Sequence, residues 1–227
     1  MKNVIKCVNV WKVYNPHTPA EVQALRGVNL VIDEGDMVGI MGTSGSGKST
    51  LLNMIGALDK PSRGKILIDG QDISHMNENQ LAVLRRKKIG FVFQFFNLIN
   101  SLTAFENVEL PMVFNGLPPE NRKKKVKELL ELVDLSDKIH EKPNKLSGGQ
   151  SQRLAIARAL ANDPAVILAD EPTGNLDSKT GANIMNLFKK LNKDGRTIII
   201  VTHDANIARQ SSRIVRVADG KVLEEFI

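Results

Sequence analysis

The residue run Gly-Thr-Ser-Gly-Ser-Gly-Lys-Ser-Thr at positions 42–50 constrains this chain more than any other feature. It fits the pattern Gly-x-x-x-x-Gly-Lys-Ser/Thr, in which backbone N–H groups turn toward phosphate oxygens. An apolar segment, residues 37–41, precedes the run, and apolar residues at helical spacing follow it from Leu51 onward. A strand, a glycine-rich loop and a helix in this order predict a nucleotide-phosphate site that faces the positive end of the helix.

The side chains of this loop have separate expected roles. Lys48 can reach the β and γ phosphates of a nucleotide, and the Ser49 hydroxyl can bind Mg²⁺. A dinucleotide-binding interpretation is weaker, because Thr50 stands where the third glycine of that pattern belongs. The predicted nucleotide-contacting residues of the loop are Gly42, Thr43, Ser44, Gly45, Ser46, Gly47, Lys48, Ser49 and Thr50.

The order of apolar patterns along the chain predicts an α/β fold. The N-terminal part suggests an antiparallel β element, with strand patterns at residues 4–14, 28–32, 37–41 and 65–69. Helical periods dominate residues 77–145 and indicate a helical lobe inserted into the core. Helices and strands then alternate at residues 150–161, 165–169, 179–192, 197–202 and 206–211, before a hairpin at 214–217 and 221–226. This alternation predicts a parallel sheet that binds ligands at the carboxyl ends of its strands.

Polar residues follow two of these predicted parallel strands. Asp170 ends one strand and is placed to hold Mg²⁺, and Glu171 points in a different direction and can polarise an attacking water as general base. Such an acidic pair can also be a turn with a helix cap, but the phosphate loop upstream favours the catalytic interpretation. His203 follows the next strand, so it can contact the γ phosphate or the water, although a lone histidine is usually structural.

The four residues Ser147-Gly148-Gly149-Gln150 precede a helical pattern and allow two interpretations. Ser147 and Gln150 fit a capping box, which satisfies free N–H groups at a helix start. The two glycines also expose backbone donors at the positive end of a helix, and such donors form an anion site. Because the chain already has a phosphate loop, a second anion site requires another nucleotide or another copy of the chain.

In the content and order of these motifs, the chain resembles the ATP-binding cassette (ABC) family over essentially its whole length. The resemblance implies one ABC ATPase domain at residues 1–227: a P-loop NTPase core with a parallel sheet, an N-terminal antiparallel β subdomain and an inserted helical subdomain at 77–145. It implies ATP and Mg²⁺ as ligands. The catalytic residues would be Glu171, the switch histidine His203 and the loop glutamine Gln94, and the Mg²⁺ residues would be Ser49, Gln94 and Asp170.

The same resemblance implies that part of the site is supplied by a second copy. The residues that would contact the γ phosphate across a dimer are Ser147, Gly148, Gly149 and Gln150. Residues 175–177 would lie in a dimer-contact loop. An aromatic residue that stacks on adenine is expected at Tyr14, with Trp11 as the competing candidate.

Within the family, residues 89–94 and 106–111 resemble the lipoprotein-release and macrolide-efflux branch. This implies an ATP-hydrolysing homodimer that powers a separate integral membrane permease for lipoprotein, lipid, peptide or drug export, with no nucleic acid partner. Two alternatives stay open: an ATPase that regulates a membrane cell-wall or signalling complex, and a DNA-associated cassette. The second is weaker, because no sustained heptad pattern is present.

The aromatic residues add a prediction about partnership, since four of the eight phenylalanines lie within residues 91–96. We expect Phe91 and Phe93 to belong to the core. The apolar residues beyond Gln94 are expected to form a groove for a partner helix, namely Phe95, Phe96, Leu98 and Ile99.

Composition narrows the cellular setting. The aliphatic runs are far shorter than the roughly 18 residues of a membrane span, and the N-terminus lacks a signal-peptide core. The single cysteine, Cys7, excludes an internal disulfide and fits a reducing cytosol. Much of the net charge of +6 is local, at residues 85–88 and 122–127. These runs are either solvated helix faces or a surface that attracts anionic lipid or nucleic acid. We therefore expect a soluble cytoplasmic chain, peripheral on the inner face of the cell membrane.

Overall fold

The computed structural model describes residues 2–226, so the ends of the predicted domain, Met1 and Ile227, lie outside the described residues. Seven α-helices are present in this part of the chain: α1 (Lys48–Ile55), α2 (Glu78–Lys88), α3 (Ala104–Phe114), α4 (Pro119–Leu132), α5 (Gly148–Leu160), α6 (Ser178–Lys193) and α7 (Ala205–Ala208). Short 3-10 helices occupy Ser136–Lys138 and Pro143–Lys145. The first five strands are β1 (Asn3–Tyr14), β2 (Val22–Asp33), β3 (Met37–Met41), β4 (Arg63–Ile68) and β5 (Gln71–Asp72). The remaining strands are β6 (Ile89–Val92), β7 (Val166–Asp170), β8 (Ile198–Thr202), β9 (Arg213–Ala218) and β10 (Lys221–Phe226).

The N-terminal strands form a separate antiparallel sheet in the order β2-β1-β4-β5, which includes three of the four predicted segments. The fourth, residues 37–41, is β3 and lies in the other sheet instead, where it pairs parallel with β8 and β9. Strand β2 begins six residues earlier than the predicted segment 28–32. The apolar alternation is interrupted there, because Gly27 has a φ of +74° and the pairing with β1 contains several register shifts. Bulges of this kind let a strand continue through residues whose pattern does not indicate one.

The second sheet has six strands in the order β10-β9-β3-β8-β7-β6. Strands β6, β7, β8, β3 and β9 run parallel, and only β10 is antiparallel to its neighbour. Their apolar runs are nearly continuous, as expected for a parallel sheet that is covered on both faces. Met41 pairs with Thr202, and Asp170 pairs with Val201, so β3, β7 and β8 end at the same edge.

The two faces of this parallel sheet contribute to two hydrophobic cores. Leu168 and Ile199 face a core that also contains the antiparallel sheet, α1 and α2. Ile167 and Ile200 face a second core formed with α3, α4, α5 and α6. The sheet is therefore the middle of three layers, and its carboxyl edge is held rigidly from both sides.

The helical region differs in one respect from the predicted lobe at residues 77–145. Strand β6 lies inside that range, yet it hydrogen-bonds to β7 in the parallel sheet. A Cβ on Gly90 would lie 2.4 Å from the Ala159 oxygen, so glycine allows β6 to pack closely against α5. The helices α3 and α4 then pack on α5. Among residues 2–226, no helix is both long enough and apolar enough to cross a membrane.

Candidate functional site

The glycine-rich loop lies between β3 and α1 and is shaped by close backbone contacts. A Cβ on Gly42 would lie 2.2 Å from the Val217 oxygen, and Gly47 has a φ of +104°, so a side chain at either position would be strained. The Lys48 ammonium donates to the backbone oxygens of Gly42 at 2.7 Å and Thr43 at 2.8 Å. The lysine therefore crosses its own loop, within reach of any anion that the loop binds.

Gly220, in the turn between β9 and β10, joins this loop to the antiparallel sheet. Its N–H donates to the Ser46 oxygen at 2.9 Å, and its oxygen accepts from the Arg26 N–H at 2.8 Å. Ser46 is buried, and its hydroxyl has no hydrogen-bond partner among the described residues. The shape of the loop thus depends on three segments that are far apart in the sequence.

A cavity of about 690 Å³ opens above the loop and brings most of the predicted site residues together. The predicted residues that line it are Tyr14, Ser44, Gly45, Gly47, Lys48, Ser49, Thr50, Gln94, Asp170, Glu171 and His203. Gly42 and Thr43 instead line a neighbouring cavity that also contacts His203. Residues 147–150 line neither cavity.

Asp170 ends β7 and faces the cavity next to Glu171. Burial raises the pKa of the Asp170 carboxyl above its usual value, the negative charge of Glu171 raises it further, and Lys48 partly offsets both effects. A cation bound between this carboxylate and the Ser49 hydroxyl would remove the same electrostatic cost. The residues present therefore fit a Mg²⁺ ion with oxygen ligands.

Glu171 is held more firmly than any other carboxylate of the cavity. Its two oxygens accept hydrogen bonds from the Thr202 hydroxyl at 2.9 Å and the His203 N–H at 2.9 Å, and the Nδ1 atom of His203 lies 2.7 Å away. Its φ of +43° is unusual for a residue other than glycine, and such strain often occurs at functional sites. The Glu171 side chain is 18% exposed, whereas the His203 side chain is 75% exposed, so His203 covers it from the solvent side.

Gln94 follows β6 and packs on the turn after Glu171. Its backbone oxygen accepts from the Asn175 side chain at 2.9 Å, and its side-chain nitrogen lies 3.5 Å from the Asn175 side-chain oxygen. A Cβ on Gly174 would lie 2.8 Å from this nitrogen, so glycine leaves room for the glutamine. Within one chain, Asn175 therefore orients Gln94.

Tyr14 lines the cavity, and two residues that sequence reasoning missed hold its ring. The Tyr14 hydroxyl donates to Asp59 at 3.3 Å, and the Lys12 ammonium lies 5.0 Å from the ring centroid. Lys12 and Asp59 also form an ion pair at 2.6 Å. Trp11 bonds to Asn9 instead and lies outside the cavity, so the structure favours Tyr14 as the aromatic platform.

The second predicted anion site begins α5. Ser147 and Gln150 form a capping box: the Ser147 hydroxyl accepts from the Gln150 N–H at 3.3 Å, and the Gln150 side chain accepts from the Ser147 N–H at 2.8 Å. Ser147 and Gly148 are exposed. A Cβ on Gly149 would lie 2.5 Å from the Thr180 methyl group, so this glycine also allows α5 and α6 to approach. Within one chain, the helix start is capped, exposed and separate from the cavity.

The aromatic segment forms a groove, although its members differ from the prediction. Phe91 and Phe93, expected in the core, stack with ring centroids 5.4 Å apart and line a cavity of about 520 Å³. Phe91 also packs against the core, but neither ring is fully buried, because the helical region leaves the end of β6 open. Of the four residues predicted to form the groove, Ile99 lines it, whereas Phe95, Phe96 and Leu98 do not. Phe95 is 73% exposed, and Leu98 packs against the second core.

Comparisons with known proteins show the family and the fold of this chain. A family model described as "ABC transporter" matches residues 25–174. An uncharacterized ABC transporter ATP-binding protein of Thermotoga maritima is 55% identical, over 98% of this chain and 94% of that protein. A macrolide export ATP-binding/permease protein MacB of Hyphomonas neptunium is 49% identical over 90% of this chain, which corresponds to 32% of its own length.

A similar solved structure is that of the ATP-binding cassette MJ0796 of Methanocaldococcus jannaschii. It is a dimer in a post-hydrolysis state, bound to ADP and Pi. It is 52% identical to this chain, with a TM-score of 0.87, and the match covers 98% of this chain and 97% of the other.

Proposed function

This chain belongs to the ABC transporter family and is an ATPase, and from that premise we propose that two copies close over two ATP molecules and drive a separate membrane permease of an export system. The ATP-binding cassettes of two similar proteins, MacB and MJ0796, support the two parts of this proposal. MacB is described as an ATP-binding/permease protein. The structure of MJ0796 is that of a dimer.

The separation of the two anion-binding regions within one chain carries the dimer proposal. The phosphate loop lines the cavity, whereas Ser147 and Gly148 are exposed and lie outside it. An exposed helix N-terminus with free backbone donors is suited to an anion that another molecule presents. In the proposed dimer, residues 147–150 of one copy contact the γ phosphate that the other copy holds with Lys48.

The chemistry proposed for each site follows from the contacts of Glu171. Thr202 and His203 fix its carboxylate, so that it can accept a proton from a water molecule that attacks the γ phosphate in line. Lys48 exchanges the backbone oxygens that it now contacts for phosphate oxygens. His203, on the solvent side of Glu171, restricts the access of other water molecules to the carboxylate.

The Mg²⁺ site that we propose uses Ser49 and Asp170, with Gln94 at its margin. These residues would hold Mg²⁺ where it could neutralise charge that develops on the phosphate oxygens. Asp170 holds its position at the rigid edge of the sheet, because β7 is paired on both sides. Tyr14, oriented by Asp59 and Lys12, supplies a flat apolar surface for the adenine ring.

The groove beside β6 is the proposed contact with the permease. It has apolar walls formed by Phe91, Phe93, Ile99, Leu110 and Phe114, and such a surface suits the apolar face of a partner helix. Gln94 lies in the nucleotide cavity while its neighbour Phe93 lies in the groove. A change at the nucleotide could therefore alter the shape of the groove and the contact with a partner bound there. With the permease as that partner, the chain would act at the cytoplasmic face of the membrane.

The experiment that tests this proposal uses Glu171→Gln, which keeps the side-chain shape but removes the base. We expect turnover to fall by about 10²–10⁴-fold while ATP binding persists, because general-base catalysis contributes on that scale. Without hydrolysis, an ATP-dependent dimer should accumulate, and gel filtration with light scattering would detect it. Lys48→Ala in the same background is the matched control, since it removes a phosphate contact and should prevent the dimer. A Glu171→Gln variant that stays monomeric with saturating ATP would contradict the proposal.

A further inference from the structure

Residues 93–97 form a wall between the nucleotide cavity and the groove. Gln94 lines the nucleotide cavity, whereas Phe93 and Asn97 line the groove. Only two residues separate Gln94 from Asn97, so a change in the backbone at one of them displaces the other. The shape of this short segment therefore matters for both cavities.

The end of the segment has an unfavourable backbone conformation. Phe96 and Asn97 have φ values of +61° and +51°, and both lie in the left-handed region. A single asparagine tolerates this region, but two successive residues there, one of them a bulky aromatic, are uncommon. Such a turn persists only where its surroundings hold it.

Arg158, in the last turn of α5, supplies that support. Its guanidinium donates to the Phe96 oxygen at 2.8 Å and also to the Asn97 oxygen. Arginine presents several donors in a rigid fork, so one side chain can hold two successive carbonyl groups. Burial lowers the pKa of the Arg158 guanidinium. Among the described residues, no carboxylate forms an ion pair with Arg158. The two carbonyl groups are therefore its main polar partners.

We propose that Arg158 is a positioning residue for ATP hydrolysis, which holds the turn at Phe96 and Asn97 so that Gln94 stays on Asn175 and faces the nucleotide. This inference rests on the role proposed above for Gln94. Helix α5 begins at the residues that would contact the nucleotide of the second copy. Arg158 thus connects that helix, the groove and Gln94 in one rigid contact.

The first test measures steady-state ATPase rates of Arg158→Met and Arg158→Lys. Methionine has a similar length without donors, and lysine keeps the charge without the fork. For Arg158→Met, kcat should fall by about 10- to 100-fold, since small misplacements of catalytic groups cost this much. KM for ATP should change by less than about twofold, because the phosphate loop is untouched. Arg158→Lys should be intermediate.

Arg153→Met is the matched control. Arg153 lies on the same helix and bonds to Asp134 and the Val133 oxygen, but it does not contact residues 93–97. Its loss removes a polar contact of comparable kind, and kcat should stay within about twofold of the wild-type value. An equal fall in kcat for Arg153→Met and Arg158→Met would show a general effect of weakening α5 and would overturn the proposal.

Changes at Asn97 test the turn without altering the arginine. Asn97 is exposed, and glycine adopts a positive φ without strain. Asn97→Gly should therefore restore part of the kcat that Arg158→Met loses. Asn97→Val should lower kcat with Arg158 intact, because a β-branched residue disfavours this conformation. Circular dichroism melting identifies any variant that fails to fold, and the Asn97 variants then decide the question.

Gln94→Ala separates failure of this inference from failure of the proposed function. If Gln94→Ala lowers kcat and Arg158→Met does not, the inference about Arg158 is wrong and the role of Gln94 stands. If Gln94→Ala leaves kcat unchanged, the role of Gln94 is wrong and the inference is overturned with it. Absence of rescue by Asn97→Gly in a folded Arg158→Met variant would also overturn it.

Discussion

The glycine-rich loop at residues 42–50 and the helix start at residues 147–150 both carry backbone N–H groups of the kind that can bind an anion, but they are built differently. Backbone contacts with Val217 and Gly220 fix the loop, and Lys48 folds over it. The helix start is exposed and capped only by Ser147 and Gln150. The loop lines a cavity within its own chain, whereas the helix start lies outside that cavity. In the proposed dimer, each chain would therefore supply the loop half of one nucleotide site and the helix-start half of the other, from two separate surfaces.

Gly148→Asp has the largest expected effect, and it tests whether the start of α5 binds an anion as the glycine-rich loop is proposed to do. An acidic residue in the first turn of a helix is favourable for the folded chain, since it complements the helix dipole. The same charge would repel a γ phosphate, so ATPase activity should fall by about 100-fold or more while the melting temperature is kept. Activity close to wild type would show that residues 147–150 serve as a helix cap and nothing more.

Two controls sharpen the result for Gly148→Asp. Asn79→Asp places the same charge in the first turn of α2, another helix with a capping box, and should leave ATPase activity unchanged. Mixing Gly148→Asp with Lys48→Ala should give more activity than either variant alone, because a mixed dimer contains one site with both halves intact. Absence of this recovery, despite mixed dimers in native mass spectrometry, would contradict the composite site.

A smaller effect is expected for Ser147→Ala, which removes the cap of α5. Loss of a serine cap costs about 0.5–2 kcal/mol of unfolding free energy, which urea denaturation measures. The matched variant is Asn77→Ala in α2, because Asn77 caps that helix with the same capping-box geometry. Both variants should lose similar stability, but only Ser147→Ala should lose ATPase activity. Equal ATPase activity in the two variants would show that Ser147 caps the helix but does not contribute to the nucleotide site.

The smallest expected effect concerns the negative charge of Asp170, in the cavity above the glycine-rich loop. Burial and Glu171 raise the pKa of Asp170 above its ordinary value of 3.8, so its ionised form destabilises the nucleotide-free fold at neutral pH. Asp170→Asn should therefore raise the melting temperature at pH 7 by about 2 °C, although it abolishes turnover. The gain should shrink as the pH falls through the raised pKa of Asp170, and should vanish below pH 3.8, where the carboxyl is protonated in both states. A gain that persists at low pH would argue against this electrostatic cause.

Residues at the ends of regular strands were the most predictable parts of the site. Asp170 and His203 follow apolar runs whose length and order indicate parallel strands, and the shared edge of a parallel sheet brings them together. The comparisons confirm the α/β fold and the family. Tyr14 could be narrowed only to a choice with Trp11, because a sequence pattern does not show which ring faces the cavity.

Residues that act through a neighbour could not be predicted in the same way. Thr202, Asp59 and Arg158 are ordinary polar residues in their local sequence, and their partners are 31, 45 and 62 positions away. Strand β6 was missed because its four residues lie between helical segments, and only pairing with β7 identifies them as a strand. Sequence periodicity reports local structure, whereas these features depend on contacts that the tertiary fold creates.

The turn at Gly220 has a consequence for biosynthesis. Its N–H and oxygen join Ser46 to Arg26, although it lies more than 170 positions after both. A ribosome that has translated the glycine-rich motif must therefore add nearly the whole domain before these bonds can form. The loop would then be able to hold ATP in this way only after β9 and Gly220 have been synthesised. A shorter nascent chain would lack the bonds that fix the loop.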